Sequence, residues 1–336
     1  MPRNEPGNVP GNIPVNILVC GGAGYIGSHM VKMLAENGYS VTTFDNLSTG
    51  YRWAVQWGEF VEGDLLNPQD LEKLFSENDF DLVMHFSARS LVGESVQNPT
   101  LYYENNVVGT FNLLKAMQQA NVKKFVFSST AAVYGYPNTD AIKEDHPTNP
   151  INPYGQTKLM VENMLEDYAQ AYGLNSVRLR YFNAAGADES GLIGEAHDPE
   201  THLIPNILKS ALANTGNNNG TNLKVFGDDY DKPDGTCVRD YIHVHDLCDA
   251  HLKAIHYLAD NSGSFVFNLG NGNGFRVKEV IEAAEQIVGS HIDYQVEGRR
   301  AGDPPTLIAN SQKASDQLGW TPEYNNVADI IRTAWQ

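Results

Sequence analysis

One junction restricts the fold of this chain more than any other. The apolar run Val15 to Cys20 ends directly in G-G-A-G-Y-I-G, residues 21–27, and a helical pattern from Tyr25 to Asn37 follows, closed by Gly38. Glycines at a strand exit let the backbone turn tightly and come close to a pyrophosphate, which then rests on the positive end of the helix. Gly21, Gly24 and Gly27 carry that reading, although a bare glycine pattern also describes an ordinary strand-to-helix turn. Two carboxylates add to it. Asp45 ends the second strand, Tyr39 to Phe44, about 20 residues on, where a carboxylate takes the ribose hydroxyls of NAD and repels a 2'-phosphate. Gly63-Asp64-Leu65 follows the third strand, where a carboxylate can reach the adenine amino group. The expected ligand is a dinucleotide, NAD rather than NADP.

Strand and helix signals then alternate. Short strands are expected around Phe60–Val61, Asp81–Phe86, Phe125–Ser128 and Ser176–Tyr181; Asn67-Pro68 caps a helix through Phe75, and long amphipathic runs cover roughly 94–120 and 153–171. This repetition predicts an α/β fold, a Rossmann-type doubly wound parallel sheet over residues 15–182. After about residue 183 the rhythm breaks into irregular stretches such as G-A-D-E-S-G-L-I-G-E-A-H-D-P-E-T-H (186–202) and N-T-G-N-N-N-G-T-N (214–222). A smaller C-terminal α/β domain, 183–336, is expected there to shape a pocket, with a stretch near 238–268 returning to the first domain. The first 14 residues, rich in Pro, Gly and Asn, read as a disordered or loosely attached tail.

The formal charge of -18 weighs against nucleic acid or an anionic membrane as partner. An anionic ligand must therefore be held by local groups. Three cysteines without a Cys-x-x-Cys pair argue against a disulfide framework or a structural zinc site. No apolar stretch reaches the ~20 residues of a membrane span, and no secretory signal pattern opens the chain; the expected location is cytoplasmic.

N-P-Y-G-Q-T-K, residues 152–158, opens a helix with Asn152 as cap and Pro153 as first residue. Tyr154 and Lys158 are four apart and share a face, which Val161, Leu165 and Tyr168 continue. An ammonium beside a phenol, with a bound nicotinamide cation nearby, favours the phenolate, making Tyr154 a general base toward an alcohol whose carbon gives up hydride. The alternative is an exposed pair without a partner. The spacing proves little; the location carries the weight.

G-G-A-G-Y-I-G-S-H, F-D-N-L-S-T-G, E-G-D-L, H-F-S-A-R-S-L-V-G-E-S-V, Y-Y-E-N-N-V-V-G-T, S-S-T-A-A-V-Y-G, P-Y-G-Q-T-K, R-Y-F-N-A-A-G-A, H-L-I-P-N-I, G-T-C-V-R-D-Y-I-H-V, N-L-G and R-R-A-G-D-P occur in this order. The set resembles the extended short-chain dehydrogenase/reductases and, more narrowly, the family of UDP-glucose (UDP-galactose) 4-epimerases, from about Val15 almost to the C-terminus. The resemblance implies reversible C4 epimerisation of UDP-glucose and UDP-galactose through a transient 4-keto sugar, with one tightly bound, regenerated NAD. Tyr154 would take the 4-hydroxyl proton, Thr130 would hydrogen-bond that oxygen, and Lys158 would hold the nicotinamide ribose and keep Tyr154 acidic.

Cofactor contacts then fall on Tyr25, Ile26, Asp45, Asn46, Asp64, Leu65, Phe86, Ser87, Ala88, Asn105 and Phe182. UDP-sugar contacts fall on Asn183, Leu203, Phe226, Arg239, Arg300 and Asp303. Arg239 and Arg300 answer the charge problem, since a guanidinium forks two hydrogen bonds onto a diphosphate. Leu307 matches the position whose bulk limits the sugar pocket, and leucine leaves plain and N-acetyl hexoses both open. The chain departs from the family pattern at Cys20, usually threonine, and at Ser90, lysine in some relatives. The resemblance also implies a homodimer through the helices near 94–120 and 153–171.

Related dehydratases carry Asp-Glu after the threonine and decarboxylating relatives a Glu in that segment, whereas this chain has Ala131 and Ala132. The alternatives are a 4-epimerase of UDP-GlcNAc/UDP-GalNAc or UDP-glucuronate and, in another class, a non-catalytic NAD-sensing regulator, for which a broken Tyr-Lys pair is expected. No metal is expected. His243-x-His245-Asp246, His85 and the Tyr102-Tyr103 pair are assigned to packing.

Overall fold

A computed structural model describes residues 16–215, 223–300 and 304–336; the expected tail, Val15 and Asp303 lie outside them. Seven parallel strands form the main sheet: β1 (Asn16–Cys20), β2 (Ser40–Asp45), β3 (Glu59–Glu62), β4 (Leu82–His85), β5 (Lys124–Thr130), β6 (Asn175–Tyr181) and, after several shorter strands, β11 (Ser264–Leu269). Their spatial order is β11-β6-β5-β4-β1-β2-β3. Strand order reverses on either side of β1, which pairs in parallel with both β2 and β4. Such a switch point opens a crevice at the carboxyl ends of the strands.

Alternation along β1 distributes the core. Ile17 and Val19 face a cluster shared with α1 (Tyr25–Glu36) and α8 (Val244–Asp260), while Leu18 and Cys20 face α2 (Pro68–Glu77), α5 (Gly109–Gln119) and α6 (Pro153–Tyr172). Each fully buried aliphatic side chain contributes about 1.5–3 kcal/mol, so two helical layers hold the strand ends in place. The segment Val244–Leu269 lies within this layer structure, α8 beside α1 and β11 against β6.

The run near 94–120 is not one helix. It breaks at Asn98, between α3 (Val92–Gln97) and α4 (Pro99–Tyr102), and passes through a π-turn at Tyr103–Val108 before α5. Pro99 fixes the restart. The π-turn rotates Asn106 inward, where it is buried. Its Oδ1 accepts from the Arg89 N–H (2.8 Å), and its amide donates to the Arg89 carbonyl and to Thr157 Oγ1 (both 3.0 Å), tying the loop after β4 to α6.

A second layer completes the cleft. β7 (Asn183–Ala185) pairs in parallel with β10 (Tyr241–His243); β8 (Leu223–Phe226) pairs with β13 (Tyr294–Glu297); β9 (Val238–Arg239) lies between β12 (Phe275–Arg276) and β14 (Thr306–Leu307). These strands pack with α7 (Leu203–Thr215), α9 (Val277–Val288) and α11 (Val327–Trp335) around a separate apolar core. The short helix α10 (Gln312–Leu318) leads to Trp320, which is buried back against the first core. No helix among the described residues is long and apolar enough to cross a membrane.

Candidate active site

A cleft of about 1500 Å³ runs between the two layers. Its first wall is the glycine junction. Gly21 has φ 82°, and a Cβ there would stand 2.5 Å from the Ser87 nitrogen; one on Gly27 would stand 2.1 Å from the Gly21 oxygen. Those two glycines are demanded by the fold itself. Gly24 is different, since its Cβ would meet only the Gly21 oxygen at 3.4 Å, and its bare face lines the cleft. Gly24 also caps α1 without a side-chain hydrogen bond, and the first turn holds no acidic residue, so the positive helix end is not neutralised from within. Asp45 closes the loop onto β2, accepting from Ala23 N (3.0 Å) and Leu47 N (2.8 Å). Burial raises its pKa, and those two N–H groups pull it back down. Asn46 donates to Asp64 (3.0 Å). With Tyr25, Ile26, Leu65, Phe86, Ser87, Ala88, Asn105 and Phe182 also lining it, this wall fits a dinucleotide.

Deeper in, β5 ends at Thr130, which caps the 3-10 turn Ala131–Val133 by accepting from Ala132 N (3.1 Å). Asn152 caps α6 through Gly155 N (2.9 Å), setting Tyr154 and Lys158 on the inner face. The Thr130 hydroxyl lies close to Tyr154; burial raises the Tyr154 pKa and this hydroxyl pulls it back down. Lys158 donates to the Ser128 carbonyl (2.7 Å) and lies over the Phe127 ring. Burial lowers its pKa to about 7, against which Glu162 pulls upward. The expected acidification of Tyr154 by Lys158 is therefore not a property of the protein alone, where burial dominates.

The opposite wall is assembled from short pieces. Asn183 donates to the Asp240 carbonyl (2.8 Å), Leu203 opens α7, and Arg239 ends β9 beside its register partner Leu307. The Arg300 guanidinium lies 3.7 Å from the centre of the Phe226 ring. Leu307 joins Phe182 against the cluster that holds Ala131 and Tyr134. Arg299, in contrast, is engaged by Asp229 and Tyr230 outside the cleft.

A model of the NAD dependent epimerase/dehydratase family matches residues 17–270. The chain belongs to that family. It is 52% identical to a UDP-glucose 4-epimerase of Halalkalibacterium halodurans over 95% of this chain and 94% of that protein. Among solved structures, a UDP-glucose 4-epimerase from Brucella ovis in complex with NAD superposes with a TM-score of 0.91 at 48% identity, covering 95% of this chain and 97% of that one. One from Bifidobacterium longum with NAD+ and UDP gives 0.89 at 40%, with the same coverage.

Several groups of this epimerase/dehydratase chain escaped sequence reasoning. Glu162, one turn past Lys158, is buried and pairs with Arg180 while accepting from Ser129 Oγ; Arg180 also donates to Tyr134 Oη (2.9 Å), which donates to Asn268 (2.6 Å). This network lies behind the Tyr-Lys face. The second wall also holds Glu195, His197, Glu200 and His202, whose ligating atoms all lie within 4.8 Å of one another. The repeated Glu-x-His in E-A-H-D-P-E-T-H was the available signal.

The groups assigned to packing have structural partners. His243 caps α8 through His245 N (3.0 Å), bonds Thr333 and stacks on Tyr324, while Asp246 accepts from Glu323 N and Tyr324 N. His85 bonds Thr110 (2.8 Å) and lies buried and neutral, its pKa lowered to about 3 by burial and by Lys158. Tyr102 donates to Leu91 O and Glu94; Tyr103 departs from the expectation of packing, since it lies at the start of the π-turn with its ring exposed. Cys20 is buried in the core, and burial raises its thiol pKa far above the usual range; Ser90 lines the cleft.

Proposed function

We propose that the protein is an NAD-dependent UDP-glucose 4-epimerase, interconverting UDP-glucose and UDP-galactose through a transient 4-keto sugar. The observation that carries the reading is that Thr130, Tyr154 and Lys158 line one cleft together with Ala131 and Ala132, which directly follow the threonine. Thr130 donates a neutral hydrogen bond to the sugar 4-oxygen while Tyr154 Oη removes, and later returns, its proton. NAD, when bound, would supply the hydride acceptor and donor at C4, and a cationic ring near Tyr154 would favour the phenolate that burial alone opposes. Lys158, with Asn105 and Phe182, holds the cofactor. Alanine at 131 and 132 provides neither the acid nor the base needed to eliminate water from the keto sugar. Turnover therefore ends with C4 reduced again.

Arg239 and Arg300 hold the diphosphate, with Asp303, Asn183, Leu203 and Phe226 around the nucleotide and sugar. Residues 15–182 with 238–268 form the NAD-binding part, and the remainder up to 336 forms the UDP-sugar part. Exposed Tyr103, Val108 and Phe111 on one helical run and Met160 on α6 favour a homodimer through this face. Three free cysteines fit a reducing cytoplasm.

The test is a panel of UDP-glucose, UDP-galactose, UDP-GlcNAc and UDP-glucuronate, offered to purified protein without added cofactor and scored for the C4 epimer. Interconversion of the first two, with NAD carried through purification, is expected. Epimerisation of UDP-GlcNAc or UDP-glucuronate alone would overturn the assignment.

A further inference from the structure

Glu195, His197, Glu200 and His202 stand on an eight-residue stretch of the second wall, immediately before α7. Both imidazoles present Nδ1 to the carboxylates. His197 Nδ1 and His202 Nδ1 each lie 3.0 Å from Glu195 Oε1; His202 Nδ1 lies 2.9 Å from Glu200 Oε1, and His197 Nδ1 3.8 Å from Glu200 Oε2. A four-coordinate zinc ion with bonds of about 2.0–2.2 Å holds its donors about 3.2–3.6 Å apart, inside this spread.

The Glu195 and Glu200 side chains are only 7% and 3% exposed, so two carboxylates are drawn together out of water. Glu200 Oε1 already accepts from two backbone groups, Thr201 N and His202 N. Glu200 Oε2 is buried, has no hydrogen-bond partner and points at His197. An orphaned carboxylate oxygen aimed into a set of nitrogen and oxygen donors is costly unless a cation completes it.

We propose that these four side chains bind one divalent transition-metal ion of the zinc class. Two carboxylates balance its charge, imidazole nitrogens select it over calcium or magnesium, and four protein donors leave no open position, which makes the site structural rather than catalytic. The backbone N–H groups on Glu200 Oε1 hold that carboxylate in orientation, as outer partners of metal ligands do. The Tyr25 ring packs edge-on against His197, and Tyr25 Oη donates to the Gly186 carbonyl (2.6 Å). The ion would thus staple the 186–202 loop, and with it the start of α7 at Leu203, against the glycine junction on the opposite wall.

The test reads metal, not turnover. Full-length protein is dialysed against chelator, reloaded with Zn2+ or Co2+, and assayed by elemental analysis, visible spectroscopy and thermal unfolding. The expected result is one ion per chain, an intense four-coordinate Co2+ spectrum, and a zinc-dependent rise in Tm. His197→Asn and Glu200→Gln, each checked for folding by circular dichroism, should weaken zinc binding about 100-fold or more and abolish the Tm rise. Wild-type protein that takes up no stoichiometric zinc, or variants that keep the same zinc content and Tm response, would overturn the proposal and leave an ion-pair cluster.

Discussion

Gly21–Gly27 and Thr130 stand at the ends of β1 and β5 of one parallel sheet and Tyr154 opens the helix α6, whereas Asn183, Phe226, Arg239 and Arg300 reach the same cleft from separate short strands and a loop. On the first wall, backbone ladders and two helical layers place each group, and Gly21 and Gly27 are fixed by close backbone contacts. On the second, side chains place one another: Arg300 on Phe226, Asn183 on the Asp240 carbonyl, the histidines on Glu195 and Glu200. The rigid wall is suited to chemistry, where small displacements are costly, and the assembled wall to recognition.

If that division is right, variants on the two walls should fail differently. The largest effect is expected from Tyr154→Phe, a fall in kcat of about 10²- to 10⁴-fold with circular dichroism and NAD content unchanged; near-normal turnover would remove the first wall from the chemistry. Glu162→Gln breaks the buried pair with Arg180 behind that wall and should cost about 3–5 kcal/mol in denaturant unfolding. A loss below about 1 kcal/mol would mean the network is not what stiffens it.

Arg300→Ala should instead raise KM for the UDP-sugar about 10- to 100-fold with kcat little changed and Tm preserved. An equal fall in kcat would blur the contrast between the walls.

The smallest effect is a slope. Lys158 has its folded pKa lowered from 10.5 to about 7. Between those values the unfolded chain binds the extra proton, so the penalty present below the folded pKa is relieved as pH rises. In cofactor-free protein, unfolding free energy should therefore climb from pH 7 toward 10 relative to Lys158→Met, by at most about 1.4 kcal/mol per pH unit. Parallel pH profiles would show that the ammonium is not desolvated.

The same division explains what the sequence disclosed. The glycine junction, Asp45 and Tyr154-Lys158 were legible because each is a local pattern read by backbone geometry within a few residues. Glu162 was passed over because its partner, Arg180, is 18 residues away on another element, and helix-to-strand register does not show in spacing. Asn106 was hidden by a π-turn that no propensity announces, inside a run that reads as one helix. Glu195–His202 lies in an irregular loop, where charged residues ordinarily mean solvent. The second wall was accessible mainly by resemblance, since its parts meet only in three dimensions.

The central claim is that Thr130, followed by two alanines, leaves the enzyme nothing to do but return the hydride to the carbon it came from. UDP-galactose deuterated at C4, incubated with purified protein and analysed by mass spectrometry and NMR, tests this directly. The account predicts UDP-glucose with the deuterium retained at C4. Loss of the label to solvent, or a product that has shed water, would contradict it.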